Sequence, residues 1–439
     1  MSSRRIGKQS NDGSYQSELR RAISRYLPHE GLATLPGNRL QRWTARLLVI
    51  GAILMAWDPG QTLVDRFESA YSFLAKSFGS RRRPGRTYVG FIAALARKSE
   101  TLLATVSKHL RRCVQNAAGD RWTIGGWVVL GFDGSKINCP MTKANEDGFG
   151  LASRAKSWPQ MLLTMMFHVG TGLPWAFLRD GAKGSERSHL IRMLCSLPEA
   201  AKTMVVADAG LTGYDVLSAV LGAGHSFILR VGANVQLLTG LGYAIREFDG
   251  LVYLWPENKQ KKKLAPLVLR LITLIDGRNR KMHLLTNVLD SSLLSDKTAQ
   301  EIYTRRWLVE LMYRSLKQVM GRRKMLSDSP RNAEVELDWS VTGLWVLALM
   351  NHEAIGARGR PSAATTLRAV RAKMAGRGRS LHKALEKAVQ DNYQRTASKK
   401  ARHWPHKKKE KPPGSPRARK ATKAEITLAT ELLRRKAAA

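Results

Sequence analysis

Apolar positions in the first quarter of the chain recur at helical spacing. In "QTLVDRFESAYSFLAKSF" the residues Leu63, Phe67, Tyr71 and Leu74 fall on one face. "SRRRPGRTY" interrupts the pattern with Pro84 and Gly85, and "VGFIAALARKSETLLATVSKHLRRCV" resumes it. From about residue 125 the texture changes to short apolar runs. "WVVLGFDGSKI" reads as a buried strand ending in Asp-Gly-Ser, and "MLLTMMFHVGTGLPWAFLRDG" as two strands around a glycine turn. "SERSHLIRMLCSL" is a helix with Ser185 at its N-cap. "TMVVADAG" is a second buried strand ending in Asp, "TGYDVLSAVLGAG" a helix, and "HSFILRV" another strand. Residues 232–290 read as a β-rich insertion, with "LVYLW", "PLVLRLITLI" and "KMHLLTNV" around the basic loop "NKQKKK". One long helix follows, "SDKTAQEIYTRRWLVELMYRSLKQVMG", capped by Ser295 or Asp296. The organisation that results is a helical basic region over 1–120, a candidate DNA-binding segment, and an α/β domain over 121–355. A helical region spans 356–395, and a basic tail spans 396–439, disordered and then briefly helical.

Charge narrows the partner. The chain carries 73 Lys and Arg against 34 Asp and Glu in 439 residues, a formal net charge of +39, which favours a polyanion such as nucleic acid. The stretch 398–420 holds ten Lys and Arg, one Glu and four prolines, the composition of a disordered basic arm. "LLVIGAILMAW" and "WSVTGLWVLALM" are too short to span a bilayer and read as buried helices. The N-terminus lacks the apolar run of a secretory signal. Cys113, Cys139 and Cys195 form no CxxC pair and no zinc spacing, so they read as packing residues in a reducing cytoplasm.

The long helix carries a polar stripe. With Tyr303 at the origin of a helical wheel, Arg306 falls at about 300°, Glu310 at about 340° and Lys317 at about 320°. The plain reading is a solvent face, with Arg306 and Glu310 an i,i+4 pair worth about 0.3–0.5 kcal/mol. Two aspartates suggest more. Asp133 and Asp208 each follow a run that looks buried on both faces, and ligand sites in α/β sheets gather near strand ends. Small residues follow each acid, Gly134-Ser135 and Ala209-Gly210, which leaves room for a metal or phosphate. Asp180 in "FLRDG" competes weakly and reads as a turn residue. Mg²⁺ takes oxygen ligands, usually one or two carboxylates plus phosphate oxygens. Two such ions about 3.5–4 Å apart can activate an attacking oxygen and stabilise a leaving one at phosphorus. Asp133 could bridge two ions that Asp208 and Glu310 complete, with Arg306 and Lys317 facing the phosphates.

Here the sequence resembles a known family. Tyr303-x2-Arg306-x3-Glu310-x6-Lys317 has the spacing of the YREK signature of the insertion-sequence-four family of DDE transposases, and "GFDGSKI" and "ADAGLTG" resemble its segments around the two aspartates. The resemblance covers roughly 125–355. It implies an RNase H-like core, a mixed sheet flanked by helices, with the β-rich insertion before the last helix. It implies that Asp133, Asp208 and Glu310 are both catalytic and metal-binding, holding two Mg²⁺ ions, with Mn²⁺ as substitute. It implies hydrolysis at the element's end to free a 3′-OH, and then attack of that 3′-OH on target DNA. Tyr303, Arg306 and Lys317 would contact the terminal strand. Some members form a hairpin and hold a flipped base against a Trp in the strand before the signature helix. That strand here has His283, leaving Trp255 and Trp307 as substitutes.

Three functions fit these readings: an active metal-dependent transposase, a transposase-derived DNA-binding protein without turnover, and an RNase H-like nuclease acting on another nucleic acid. The expected partners are the element's terminal inverted repeats and target DNA, bound by a dimer, with no membrane. The expected place is the cytoplasm, at the nucleoid. The tail and the cluster Arg81, Arg82 and Arg83 are expected to contact phosphate backbone, which positions without specifying and makes binding salt-dependent.

Overall fold

The computed structural model describes residues 12–36, 42–77, 84–151, 157–198, 202–244, 246, 248–275, 281–356, 359–378, 380–389 and 414–438. The leading region is helical: α1 (Asp12–Arg25), α2 (His29–Ala33), α3 (Ala45–Trp57), α4 (Leu63–Ser77) and α5 (Tyr88–Ala118). Helix α3 is apolar all round and almost wholly buried, as a helix without a polar face must be. Among the described residues no helix is long and apolar enough to cross a membrane.

The core strands are β1 (Val128–Asn138), β2 (Gln160–His168), β3 (Leu173–Gly181), β4 (Thr203–Ala207) and β5 (Ser226–Val231). Helix α6 (Lys143–Phe149) lies between β1 and β2, α7 (Glu186–Met193) between β3 and β4, and α8 (Tyr214–Gly222) between β4 and β5. Strands β1, β2 and β3 are antiparallel neighbours, and β4 and β5 run parallel to β1 beside it. This mixed sheet with flanking helices is the RNase H-like core the resemblance implies. Every residue of β4 is buried, so "TMVVA" reads as an apolar run rather than an alternating one.

The insertion continues this sheet. Its strands are β6 (Gln236–Thr239), β7 (Leu251–Leu254), β8 (Leu267–Ile275) and β9 (Lys281–Thr286), with α9 (Glu257–Lys261) on the basic loop. Because β9 pairs with both β8 and β5, insertion and core join in one continuous sheet. Helices α10 (Asp296–Arg305) and α11 (Leu308–Arg314) follow, then α12 (Pro330–Ile355), α13 (Ala363–Met374) and α14 (Leu381–Glu386). Helix α12 joins the leading helices to the core. It packs on α3 and α5 and also touches β3. Gly343 permits the approach to α3, since a Cβ there would come 2.8 Å from Ala56 Cβ, and its carbonyl accepts Trp57 Nε1 at 2.9 Å.

Three features depart from the sequence reading. The strand expected to end at Asp133 runs on to Asn138, because β2 keeps pairing with it after β4 has left at Gly131. The single long helix is broken: α10 stops at Arg305, the chain turns through Arg306 and Trp307, and one π-turn (Ser315–Val319) follows α11. The basic arm, expected to run to Lys420 without structure, ends instead in β10 (Arg417–Lys420), parallel to β6, followed by α15 (Lys423–Ala438). Glu425 explains that order. It accepts both Arg419 guanidinium nitrogens at 2.8 and 2.7 Å, the Thr422 amide at 2.8 Å and Gln260 Nε2 at 3.2 Å, so it ties the strand to the insertion. The rest of the arm, 398–413, lies outside the described residues.

Candidate active site

Asp133 stands just past the point where β1 and β4 separate, and Asp208 directly follows the last residue of β4. The two acids therefore flank the opening between adjacent parallel strands, where backbone pairing ends and side chains can converge. Asp133 accepts its neighbour's amide, Gly134 N–H, at 2.9 Å. Asp208 caps a 3₁₀ turn (Ala209–Leu211) by accepting Gly210 N–H at 2.9 Å. Arg187 on α7 steadies that turn, donating to the carbonyls of Gly210 (3.1 Å) and Thr212 (3.2 Å).

The signature helix brings the rest. Glu310 sits in the first turn of α11, half-buried. Tyr313, one turn on, is buried, and its hydroxyl donates to the carbonyl oxygens of Asp133 (2.9 Å) and Leu163 (3.0 Å). That pins α11 to β1 and β2 at the height of Asp133. Lys317 Nζ donates to Ser135 Oγ at 2.7 Å and Lys136 O at 2.8 Å, a second tie two residues further along β1. Burial, then the neighbouring Arg323 charge, lowers the Lys317 pKa. Tyr303 is buried on α10, with the Arg306 guanidinium over its ring at 5.5 Å. Arg306 Nε is buried without a hydrogen-bond partner among the described residues.

Electrostatics joins these groups into one site. Burial pushes the Asp133 carboxyl up to about 6; the Gly134 amide opposes this, the charges of Asp208 and Glu310 add to it, and Arg306 lowers it. The charges of Asp208, Arg306 and Glu310 thus all reach Asp133. Burial raises the Tyr303 hydroxyl, and the charges of Arg306 and Arg230 pull it back. The stripe is therefore turned to the sheet opening rather than to solvent.

The structure also adds residues that sequence reasoning missed. Glu186, the first residue of α7, has its carboxylate against Gly134: a Cβ at 134 would collide with it. Burial raises its pKa, and the charges of Asp133 and Asp208 raise it further. An acid in a helix's first turn is ordinary, so nothing in the local sequence marks Glu186. Tyr313 did leave a signal: on the same wheel it falls at about 280°, beside the stripe. Arg230, on β5, left none.

Other candidates stand elsewhere. Asp180, near the end of β3, accepts the Gly181 amide and lies 3.7 Å from His189 Nε2. Trp255 is buried, with Nε1 on the Leu264 carbonyl, and His283 is held between Thr273 and Ser415. Neither can receive a base without unpacking. Trp307 is 59% exposed at the turn between α10 and α11, so of the two tryptophans it is the accessible one. Arg81, Arg82 and Arg83 lie outside the described residues. All three cysteines are free thiols.

The donor set suits a hard divalent ion. It is all carboxylate oxygen, with no competing thiolate or imidazole in the field of Asp133. Among the described residues no three His, Cys, Asp or Glu side chains form a group able to enclose an ion. Magnesium does not need such a cage, since pairs of carboxylates with water and phosphate oxygens complete its octahedron. The residues fit the group.

The family described as "Transposase DDE domain" matches residues 128–345. The transposase InsG for insertion sequence element IS4 of Escherichia coli strain K12 is 26% identical over 338 residues, 73% of this chain and 71% of that protein. A cryo-EM structure of the piggyBac transposase synaptic complex with hairpin DNA aligns over 90% of this chain and 89% of its own, with a TM-score of 0.37 and 12% identity.

Proposed function

We propose that the chain is a DNA transposase of an insertion sequence, a DDE transposase of the insertion-sequence-four family, and that Asp133, Asp208 and Glu310 are its catalytic carboxylates. The observation that carries the reading is the convergence of these three acids from β1, the end of β4 and α11, with Arg306 among them. Divalent ions, two Mg²⁺ or Mn²⁺, would supply activation of the attacking oxygen and stabilisation of the leaving one. Asp133 and Asp208 would hold one ion, and Asp133 and Glu310 the other.

The chain's own residues orient the DNA end. Arg306 would present its guanidinium charge to a phosphate oxygen beside the scissile bond. Tyr303 stacks under the Arg306 guanidinium and fixes its direction. Lys317, half-desolvated and anchored on Ser135, keeps positive charge beside the strand path. Tyr313 sets the height of Glu310 over Asp133. Water first attacks the phosphodiester at the element's end and frees a 3′-OH. That 3′-OH then attacks a phosphodiester of the target, so each step breaks one P–O bond as it makes one.

The basic surface would hold DNA backbone as a dimer bridging both element ends, in the cytoplasm at the nucleoid. Cleavage of the element's own end in Mg²⁺, absent in EDTA, supports this reading. Binding without cleavage would favour a DNA-binding protein without turnover. Cleavage indifferent to the terminal-repeat sequence would favour a general nuclease.

A further inference from the structure

We propose that Lys324, held over the ring of Trp158, anchors one phosphate of the DNA strand that leaves the catalytic acids, and that Lys136 and Arg323 flank the same strand path. The inference rests on the transposase reading above and extends its site to the far end of β1.

The sheet itself opens the path. Strand β4 pairs with β1 only as far as Gly131, whereas β2 accompanies β1 on its other side to Asn138. On the side that β4 has left, the chain after the π-turn returns to β1. Asn138 N–H donates to Arg323 O at 3.2 Å, and Asn138 O accepts Met325 N–H at 2.9 Å, a parallel bridge opposite Lys324. Between these two pairings the edge of β1 is reached by side chains of the signature helix, Tyr313 at Asp133 and Lys317 at Ser135 and Lys136. From Asp133 to Asn138 an extended strand covers about 17 Å, or about five base-pair steps along a duplex. Lys317 stands within this run and Lys324 at its end.

The cations along this edge lack a protein counter-ion. Lys136, Arg323 and Lys324 are exposed, and among the described residues neither they nor Lys317 enter an ion pair. Charges of one sign gathered on one edge repel one another unless an anion lies among them, and a phosphate backbone supplies one. The direction of Lys324 is also set. Its Nζ lies 4.0 Å from the centre of the Trp158 ring, which is 38% exposed. The backbone holds that ring in place: the carbonyl of Pro159 accepts Cys139 N–H at 2.8 Å, and Gln160 Nε2 donates to Asn138 Oδ1 at 2.8 Å. The ordinary role of such a pair is a local staple, which is weak at an exposed position. Here the backbone bridge at Asn138 already joins Lys324 to β1, so a staple adds little. A ring orients an ammonium without neutralising it as a carboxylate would. The N–H groups turned away from the ring stay free for a phosphate oxygen.

The test is binding of the full chain to the element's end in EDTA, measured across a range of salt, so that no cleavage is required. Wild type is compared with Lys324→Gln, Lys324→Arg, Trp158→Phe and Trp158→Leu, on ends whose phosphates near the cut are replaced one at a time by an uncharged methylphosphonate. Lys324→Gln is expected to weaken binding about tenfold and to lower the salt slope by about 0.9. One methylphosphonate should weaken the wild type to the same degree and add nothing to Lys324→Gln. Lys324→Arg and Trp158→Phe should keep the wild-type slope and the same sensitive phosphate, whereas Trp158→Leu should blunt that sensitivity. A loss in Lys324→Gln that is equal on every end would mark a structural effect and overturn the anchor. Trp158→Leu with the wild-type pattern would refute the part given to the ring. An unchanged slope in Lys324→Gln, with the wild type binding, would overturn this inference alone. No binding of the element's end by the wild type would overturn the transposase reading and this inference with it.

Discussion

Replacing Tyr313 by Phe removes one oxygen and nothing else, which isolates the tie between the signature helix and the sheet. The hydroxyl is buried and donates to two carbonyls, Asp133 O at 2.9 Å and Leu163 O at 3.0 Å. Losing it leaves buried acceptors short of a donor, at a cost of about 1–3 kcal/mol. Unfolding entropy of about 2.1 cal/mol/K per residue makes 2 kcal/mol only about 2 °C in a chain of this length, so urea denaturation is the better gauge. The functional effect should be larger. Glu310 lies one turn before Tyr313, so a slackened α11 lets its carboxylate drift from Asp133, and about 1 Å of misplacement costs about a hundredfold in rate. The expected result for Tyr313→Phe is cleavage slowed about ten- to hundredfold, with affinity for the DNA end within about twofold of wild type. Unchanged cleavage would refute the positioning role. Affinity falling in step with cleavage would mean that Tyr313 acts on DNA instead.

Other outcomes follow from named interactions. Arg322 is 1% exposed and donates to the carbonyls of Met55 (3.2 Å), Ala56 (2.8 Å) and Met320 (3.0 Å), so Arg322→Ala should destabilise by about 3 kcal/mol or more in urea. The Arg419 pair draws the Glu425 carboxyl down to about 2 from an ordinary 4.5, with the Thr422 amide and Gln260 adding to it. A lowered folded-state pKa stabilises fully above about 4.5, and that stabilisation is lost as pH falls toward about 2. Hydrogen exchange at β6 and β10 should therefore accelerate between those values in wild type and show no such step in Glu425→Gln. Truncation after residue 396 removes the basic tail with β10 and α15, and should lower the salt slope of DNA binding by about 0.9 for each phosphate the tail neutralises. An unchanged slope would leave the tail no role in binding.

The parts legible in the sequence were those with local periodicity. The spacing of Tyr303, Arg306, Glu310 and Lys317 on one helix, and of an acid after each of two apolar runs, needs only a few neighbouring residues to be seen. Even so, the ideal wheel hid the break at Arg306 and Trp307, because both halves are individually helical. The end of β1 was misplaced for a related reason. Polar residues after Phe132 look like a loop, yet β2 pairs with them from one side regardless of their polarity. Long-range partners were invisible. Nothing near Arg417 announces a parallel pairing with Gln236, and nothing near Glu186 announces Gly134. Those pairings depend on how the sheet is assembled, which hydrophobic pattern alone does not encode.

The most direct measurement is strand cleavage of the element's own labelled end by the full chain, with Mg²⁺, with Mn²⁺ and with EDTA, beside Glu310→Gln. The account expects metal-dependent cleavage that exposes a 3′-OH and that Glu310→Gln abolishes while still binding the end. Binding by the wild type with no cleavage in either metal, with both ends present, would contradict it.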